Sequence, residues 1–460
     1  MQITRVTVPR VSLVFPKGDP WQPNKIDLLI GPNGSGKTQV LSMLAENFRA
    51  DGYPQRNGYY PKPDISLALE GNLLPERVIT QTYSPFSRFP SAPRFTPSIN
   101  RIYSEGRSVE MSYVALGLYR SPRLFVYDLS RRSLEQAIFR ISETPECATI
   151  ISKVMKNLGF RDSFLLRYEP LGPMRKILRG FHERGTDGIQ SEIYSAYNFG
   201  NFPLQLRREL TTSSIEQVSE LMAEAFKILD ESSFRNERFS HEFGSYNHKN
   251  VYDYATIQSL SLFRRLGLLS LSSCILSENS GRSFDIVQAS SGQQQMICSI
   301  MELAATLKNN SLILIDEPEL SLHPQWQQLY LDHLHSALGL FNGCHVVIAT
   351  HSPLIVQRGR ELDVGVTHLG DTLPIEETGE PQSIEGTLLN IFDTPVSNSI
   401  YLANKLFSLV SRAENEGEII RQQAHLELTR LKAIYSAANV SDKKTLGLIN
   451  DALELLGDKN

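Results

Sequence analysis

An eight-residue run near the start of the chain, GPNGSGKT at residues 31–38, constrains the fold more than any other stretch. It follows a short apolar segment, Ile26 to Ile30, and precedes a segment with apolar residues at helical spacing. Glycines at these positions let the backbone wrap around a phosphate, and a helix that begins behind them points its positive dipole at the same anion. We therefore predict a strand, a phosphate-binding loop and a helix in that order.

Each member of this run is predicted to contact a nucleotide or its metal ion. The backbone of the first six residues would surround the phosphates: Gly31, Pro32, Asn33, Gly34, Ser35 and Gly36. Lys37 would reach the β and γ phosphates, and the hydroxyl of Thr38 would bind Mg²⁺. The predicted cofactors are therefore ATP and Mg²⁺.

Two apolar segments further along the chain lead into polar residues that suit the same chemistry. The first, SLILIDEPE, leads into Asp316 and Glu317, and the second, HVVIATHSP, leads into His351. Continuous apolar strands are typical of a parallel sheet covered on both faces, with chemical groups at the carboxyl ends of the strands. We predict that Asp316 holds Mg²⁺ through water and that Glu317 polarises the attacking water. His351 would contact the γ-phosphate as a neutral imidazole.

The stretch SSGQQQ, residues 290–295, places small residues at the start of a helix, where an anion can approach the backbone. The order GPNGSGKT, SSGQQ, LILIDEPELSLHP and ATHSP resembles ABC-type ATPase heads, in the branch of RecF, RecN, SMC proteins and the overcoming-lysogenization-defect nucleases. The resemblance implies an α/β fold and a signature that closes over the γ-phosphate held by a partner subunit. The signature residues would be Ser290, Ser291, Gly292 and Gln293, with Ser291 in place of the family's first glycine.

Two further assignments follow from the resemblance alone. Residues Glu319 to Pro324, ELSLHP, match the loop that crosses the dimer interface in the family. Gln81, in RVITQTYSPFSRFP, is a candidate for the glutamine that binds Mg²⁺ and senses the attacking water. Ser84 occupies an equally plausible loop position, so the assignment stays open between these two residues.

The spacing of the motifs divides the chain into four predicted segments. Residues 1–85 and 271–385 would form the two parts of the ATPase head, and the second part would carry the signature and the acidic strand end. Residues 86–270 would form a large, mainly helical insertion, a lid, because short helical patterns there are broken by Pro and Gly clusters. Residues 386–460 would form a C-terminal helical tail.

Basic clusters in the insertion allow two interpretations. They include Arg175, Lys176 and Arg179 in MRKILRGFHERG, and Arg207 with Arg208. A groove that follows a nucleic-acid backbone combines such cations with aromatic residues. Solvated helix faces carry the same residues, and the neighbouring acids favour this second interpretation. The formal net charge of −4 gives no global attraction to nucleic acid.

Composition indicates an ordinary globular protein, with 41% hydrophobic and 21% charged residues. The start, MQITRVTVPRV, lacks a cationic leader with an apolar run, and the most apolar later stretch, LGLLSLSSCIL, is too short to span a bilayer. We therefore expect a cytoplasmic protein with no membrane contact. The four cysteines lie far apart and outside zinc-ligand spacing, which favours ordinary buried thiols.

The chain carries an ATPase pattern but no recognisable nuclease pattern, since no DxD pair follows His351. It resembles the ATPase subunit of Septu-type antiphage systems, including those attached to retrons, through YSPFSRFP, YVALGLYR and GTLLNIFDTPVSN. The resemblance implies a slow regulatory ATPase that forms a homodimer or higher homo-oligomer and has no nuclease activity of its own. Its partner would be a separate HNH-type nuclease, in some systems with a retron reverse transcriptase and its nucleic acid. The alternative is a RecF-like DNA-repair clamp that binds DNA directly.

The apolar stripes after Asn398 leave two possibilities open. The helices either bury these stripes in their own fold or use them to recruit the partner that the head controls. Leu406 and Leu431 are expected to be exposed positions at which an added charge would disrupt such a contact.

Overall fold

A six-stranded parallel sheet lies at the centre of the computed structural model. The structure describes residues 2–9, 11–19, 22–51, 64–70, 74–84, 88–90, 113–117, 130–131, 133–135, 137–139, 146–198, 202–229, 234–235, 238–244, 251–369, 383–415, 417–437 and 443–457. Its strands are β1 (Gln2–Val8), β2 (Val11–Val14), β3 (Lys25–Ile30), β4 (Ser66–Glu70), β5 (Arg77–Thr82), β6 (Tyr113–Leu116), β7 (Phe160–Pro170), β8 (Phe234–Arg235), β9 (Arg238–Gly244), β10 (Leu269–Glu278), β11 (Ser283–Asp285), β12 (Ser311–Asp316), β13 (His345–Ala349) and β14 (Gly365–His368). The central sheet has the order β14-β3-β13-β12-β5-β6, so the predicted α/β class with a parallel sheet is confirmed.

Helices cover both faces of this sheet and form the rest of the molecule. They are α1 (Lys37–Asp51), α2 (Glu146–Asn157), α3 (Met174–Asn198), α4 (Leu204–Glu209), α5 (Ile215–Ile228), α6 (Val251–Arg265), α7 (Ser291–Ala304), α8 (Pro324–Leu338), α9 (Pro353–Glu361), α10 (Ile384–Ile391), α11 (Ile400–Asn415), α12 (Glu418–Ala437) and α13 (Lys443–Gly457). None of the helices described has both the length and the apolar character needed to cross a membrane.

The central strands β3, β12 and β13 are buried at every residue, as continuous apolar runs predict. Alternate residues of a strand point to opposite faces of the sheet. Leu312 and Leu314 therefore pack in one hydrophobic cluster with Leu41 of α1. Ile313 and Ile315 belong to a larger cluster on the other face, together with residues of α7. This two-sided packing fixes where the carboxyl ends of the strands lie.

A buried charged cluster lies at the opposite, amino ends of β3 and β13. Asp27 is 0% exposed, and its Oδ2 lies 3.0 Å from Lys25 Nζ and 2.7 Å from His345 Nε2. The backbone N–H of Ile3 donates to His345 Nδ1 at 3.0 Å, so Nε2 carries the proton that is donated to Asp27. Burial lowers the pKa of His345, which keeps the ring neutral. The cluster ties β1 to the central sheet.

Two smaller antiparallel sheets flank the central one, and one of them joins the insertion to the head. Strands β2, β1 and β4 form the first, and the second has the order β11-β10-β7-β9-β8. β7 lies within the predicted insertion, and its alternating burial matches a strand with one covered face. It pairs with β10, which crosses the predicted boundary at residue 270.

The prediction of a mainly helical lid missed these strands. Helices α2 to α6 do lie within residues 86–270, but so do β6, β7, β8 and β9. β6 is the edge strand of the central parallel sheet, so part of the insertion completes the head itself. The boundaries of the four segments stay a prediction.

The C-terminal helices α10 to α13 bury their apolar stripes against one another. Their common cluster contains Leu389, Leu402, Leu406, Ala413, Ala424, Leu428, Leu431, Tyr435, Ile449, Ala452 and Leu456. Leu406 is 6% exposed and Leu431 is 1% exposed, so the expectation that these two positions are exposed is wrong. The neighbouring Phe407 is instead 77% exposed, and Leu426 is 67% exposed. The stripes therefore form a core, while other apolar side chains of the same helices face outward.

Candidate nucleotide-binding site

Three neighbouring strands end at the same edge of the central sheet and bring together residues that are distant in sequence. β13 lies between β3 and β12. The phosphate-binding loop follows β3, Asp316 is the last residue of β12, and His351 comes two residues after β13. The carboxyl edge of a parallel sheet is where α/β proteins usually bind ligands.

The phosphate-binding loop has a backbone shape that glycine adopts most readily. Gly34 has a φ of 83° and Gly36 has a φ of 100°. No heavy atom of the described residues lies within 4 Å of the place where a Cβ on Gly34 would stand. α1 begins directly behind the loop at Lys37, so its free backbone N–H groups face the same space. The loop therefore fits its predicted role around a phosphate.

Lys37 lies against this loop and is only 5% exposed. Its Nζ donates to the carbonyl oxygen of Gly31 at 2.8 Å and to that of Pro32 at 3.0 Å. Burial lowers the pKa of Lys37, while the carboxylates around it, chiefly Glu317, raise it. Phosphate oxygens are stronger acceptors for an ammonium group than neutral carbonyls, so a nucleotide can take over these hydrogen bonds.

Thr38 and Asp316 meet between α1 and the end of β12. Thr38 Oγ1 donates to Asp316 Oδ1 at 3.1 Å. Burial raises the pKa of Asp316 to about 6, although the hydrogen bond from Thr38 acts in the opposite direction. A hydroxyl and a carboxylate at this spacing suit Mg²⁺, which prefers oxygen ligands and keeps part of its water shell. The residues present therefore fit the predicted metal ion.

Glu317 follows β12 in a left-handed backbone conformation, with a φ of 50°. This conformation is uncommon for residues other than glycine, and strained residues of this kind cluster at functional sites. The N–H of Glu317 donates to the carbonyl of Ala349 at 2.9 Å, which fixes the turn against the end of β13. The side chain stays partly exposed next to Asp316. This position agrees with a group that polarises water.

Glu319 makes contacts that no sequence pattern predicts. The resemblance assigns it only to an interface loop, yet its carboxylate accepts hydrogen bonds from His351 N at 2.5 Å and from Thr350 Oγ1 at 2.9 Å. Burial raises the pKa of Glu319, and these hydrogen bonds oppose that effect. No motif could have revealed the contact, because one of its two donors is a backbone N–H group.

His351 lies partly exposed at the carboxyl end of β13. Burial lowers its pKa, and the positive charge of Lys37 lowers it further. The lowered pKa favours the neutral imidazole, as its predicted contact with a γ-phosphate assumes, although the charge of Glu317 acts in the opposite direction.

Gln81 is not brought to this site. It lies inside β5 rather than in a loop, is 0% exposed, and donates from Nε2 to the carbonyl of Ser299 in α7 at 2.9 Å. Its neighbour in the sheet is Ile315, and both side chains point away from the face that carries Thr38 and Asp316. Because β5 continues through Thr82, its side chains alternate between the two faces of the sheet up to that residue, and Gln81 points away from the predicted metal ion. Ser84 lies in the loop beyond the strand end.

The predicted signature forms the start of α7. Ser290 caps the helix, since its side chain accepts from Gln293 N, while the Gln293 side chain accepts from Ser290 N. Ser290 and Ser291 are exposed, whereas Gly292 is buried. A Cβ on Gly292 would stand 2.9 Å from the carbonyl oxygen of Ser321, so only glycine fits beside the loop after β12.

Within the ranges that the structure describes, no group of three or more His, Cys, Asp or Glu side chains is arranged to hold a metal ion. Cys274, Cys298 and Cys344 are free and buried, and burial raises the pKa of each thiol. The side chain of Cys147 lies outside the described residues.

The parallel sheet, the loop before α1 and the polar strand ends define a P-loop ATPase of the ABC type. Residues 118–357, just over half of the chain, match the family described as "AAA domain, putative AbiEii toxin, Type IV TA system". The chain belongs to this family. The matched range contains the signature, Asp316 and His351, and it begins after the phosphate-binding loop.

A shorter similarity connects the chain with a phage protein. Protein ea59 of Escherichia phage lambda is 38% identical over 72 residues. The matched region is 16% of this chain and 14% of ea59. The chain therefore covers only a small part of that relative.

Proposed function

We propose that the protein binds ATP with Mg²⁺ and hydrolyses it slowly, and that this cycle regulates a partner effector in antiphage defence. The observation that carries the ATPase proposal is the 3.1 Å contact between Thr38 and Asp316, with Lys37 held against the neighbouring loop. Thr38 and Asp316 would hold Mg²⁺, which, when bound, would neutralise charge on the phosphates. Glu317 would polarise the attacking water, and His351 would hydrogen-bond the γ-phosphate.

The first experiment measures ATP binding and release of inorganic phosphate by the purified full chain. Lys37→Ala should lose nucleotide affinity, because it removes the buried ammonium at the loop. Lys432→Ala, which removes an exposed lysine of α12, is the matched control and should behave as the wild type. Hydrolysis that survives in Lys37→Ala would show that the measured activity belongs to another site or to a contaminant.

The resemblance also supports dimerisation through two heads that enclose two ATP molecules. One chain carries one phosphate-binding loop and one signature, and the signature serines are exposed rather than covered by their own subunit. Ser290→Arg should prevent closure in ATP while the affinity of the single head for nucleotide stays nearly unchanged. Ser280→Arg changes an exposed serine in the turn after β10 and serves as the control. Equal loss of affinity and turnover in Ser290→Arg would place Ser290 in the pocket of its own subunit.

The effector would be a separate HNH-type nuclease, in some systems with a retron reverse transcriptase. Exposed apolar side chains of the C-terminal helices, such as Phe407 and Leu426, offer a surface for such a partner. Phe407→Glu with Leu426→Glu should abolish co-purification with the nuclease from the native host and leave ATP hydrolysis intact. Leu340→Glu, at a leucine that is 57% exposed outside this region, is the control. If the double variant still co-purifies with the nuclease, the C-terminal helices contribute only to the fold and do not recruit the partner.

Direct DNA binding is the second candidate function, and one group of contacts favours it. Tyr194 and Tyr197 at the end of α3 are 54% and 53% exposed, and the Arg207 guanidinium lies 5.4 Å from the centroid of the Tyr197 ring. Exposed aromatic rings next to arginines are typical of surfaces that stack bases. A labelled duplex with a single-stranded end should bind with steep salt dependence, and Tyr197→Ala should weaken that binding. If DNA binding does not depend on salt concentration and is unchanged in Tyr197→Ala, the function as a DNA clamp is rejected.

A further inference from the structure

Glu319 connects the loop after β12 with the loop after β13. Its carboxylate accepts from the backbone N–H of His351 and from the hydroxyl of Thr350. Thr350 is itself 0% exposed, and its N–H donates to the carbonyl of Leu29 at the end of β3, just before the phosphate-binding loop. The carboxylate therefore joins the loops after β12 and β13, and the backbone N–H of Thr350 extends the connection to the end of β3.

The loop after β13, residues 350–352, is called the histidine loop here, and several hydrogen bonds besides those of Glu319 hold it. Thr350 Oγ1 accepts from Ser352 N at 3.0 Å, and Ser352 Oγ lies 2.6 Å from Gln327 Oε1. Gln327 Nε2 donates in turn to the carbonyl of Leu322 at 3.0 Å. The segment from Glu319 to Leu322 is thus fastened to the histidine loop at both of its ends. Within this network Glu319 makes the hydrogen bond to His351 itself.

The other side of the same segment touches the signature helix. Gln295 of α7 donates from Nε2 to the carbonyl of Pro318 at 3.0 Å, and Gly292 packs against Ser321. The start of α7 therefore contacts the same segment that is hydrogen-bonded to the loop after β13.

We propose that Glu319 is a positioning residue for ATP hydrolysis, which holds His351 at the γ-phosphate position by binding its backbone N–H. This inference rests on the proposed ATPase function. Glu319 itself does not touch the reacting atoms; it determines where the imidazole of His351 stands. Its carboxylate is suited to this task because it accepts two hydrogen bonds at once in a mostly buried place, where an unpaired donor is costly.

The test compares Glu319→Ala and Glu319→Gln with a matched control in the full-length chain. Glu385→Ala is the control, because the Glu385 carboxylate also accepts from backbone N–H groups, among them that of Tyr401, and from the hydroxyl of Ser399, but in the C-terminal helices. We expect Glu319→Ala to lower turnover about 10- to 100-fold and to leave the affinity for a fluorescent ATP analogue within about threefold. Glu319→Gln retains one acceptor and should fall between Glu319→Ala and the wild type.

A double-substitution cycle distinguishes positioning from a general structural defect. In a His351→Ala background, Glu319→Ala should lower turnover by no more than about twofold, because the group that it positions is already gone. An equal loss in both backgrounds would overturn the proposal, as would wild-type turnover in Glu319→Ala. If Glu319→Ala does not fold, the same cycle is carried out with Glu319→Gln.

A second measurement does not depend on hydrolysis. The ring resonance of His351 in protein with ¹³C-labelled histidine, assigned by its loss in His351→Ala, should shift in Glu319→Ala and stay in place in Glu385→Ala. An unmoved resonance would overturn the inference even if the protein hydrolyses ATP. Suppose that Lys37→Ala shows that the protein is not an ATPase, but the His351 resonance still shifts in Glu319→Ala. The proposed function is then wrong, whereas the contact between Glu319 and His351 is supported.

Discussion

The two charged clusters at opposite ends of the central strands differ in their charge balance. At the amino ends, Asp27 has its own cation in Lys25 and a neutral histidine as a second partner. At the carboxyl ends, three carboxylates lie around the single ammonium of Lys37, namely those of Asp316, Glu317 and Glu319. Each member of a buried, charge-balanced cluster compensates the charge of another, whereas an excess of carboxylates favours binding of a cation. This difference in charge balance indicates that the cluster around Asp27 has a structural role and that the cluster around Lys37 binds the ligand.

The largest expected effect comes from the cluster with excess charge. Glu317→Gln should keep ATP and Mg²⁺ bound but lower hydrolysis by about 10²- to 10⁴-fold, because the amide cannot take up a proton from water. The dimer should then persist in ATP, which light scattering measures directly. A variant that stays monomeric in ATP, or that turns over at the wild-type rate, would show that Glu317 has another role.

A substitution in the charge-balanced cluster around Asp27 should instead lower the stability of the fold and leave ATP binding unchanged. Asp27→Ala leaves the 6% exposed Lys25 without its partner, so the free energy of unfolding should fall by about 3–5 kcal/mol. The folded fraction should still bind ATP with wild-type affinity. Chemical denaturation provides the measurement, and Asp332→Asn is the control, because Asp332 and Arg358 form a pair that is 34% exposed on each side. That control should change stability by about 1 kcal/mol or less. If folded Asp27→Ala binds ATP more weakly than the wild type, the cluster around Asp27 also contributes to nucleotide binding, and the prediction is wrong.

A third test uses pH. Burial raises the pKa of Asp316 to about 6 from its ordinary 3.8, so the folded state takes up a proton before the unfolded state does as the pH falls. Without Mg²⁺ and nucleotide, the contribution of Asp316 to stability should therefore rise as the pH falls from about 6 to about 4. Affinity for Mg²⁺ with ATP should fall over the same range, because protons compete for the carboxylate.

Thermal unfolding and titration with Mg²⁺ at several pH values separate these opposite trends. Asp316→Asn should flatten both of them, since an amide does not titrate. If the variant keeps the wild-type pH dependence of Mg²⁺ affinity, another group holds the metal ion.

The smallest expected effect concerns Gln81, which contacts neither cluster. Gln81→Met keeps the length of the side chain and removes one hydrogen bond to Ser299, so stability should change by about 1 kcal/mol. Turnover should stay within about twofold of the wild type. A larger loss of turnover with intact folding would restore Gln81 as a residue that senses the metal ion.

The sequence predicts some of these features well and others not at all, for a physical reason. Lys37, Thr38 and Asp316 stand in local patterns next to apolar strands, and the structure brings them together. Glu319 and Gln81 depend on how the ends of separate strands meet, and a shift of one residue in a strand turns a side chain to the other face. Strands β6 and β7 of the insertion likewise pair with segments that lie far away in the chain, so a local pattern does not predict which sheet they join.

Pairing of β3 also determines when the site can form during synthesis. Asp27 and His345, which bond across β3 and β13, are 318 residues apart in the chain, and the other neighbour of β3 is the still later β14. On a ribosome, the nucleotide loop therefore leaves the exit tunnel long before either strand that flanks it. The loop can take its bound shape only after most of the polypeptide has been translated, so the newly made chain must wait before it can engage ATP.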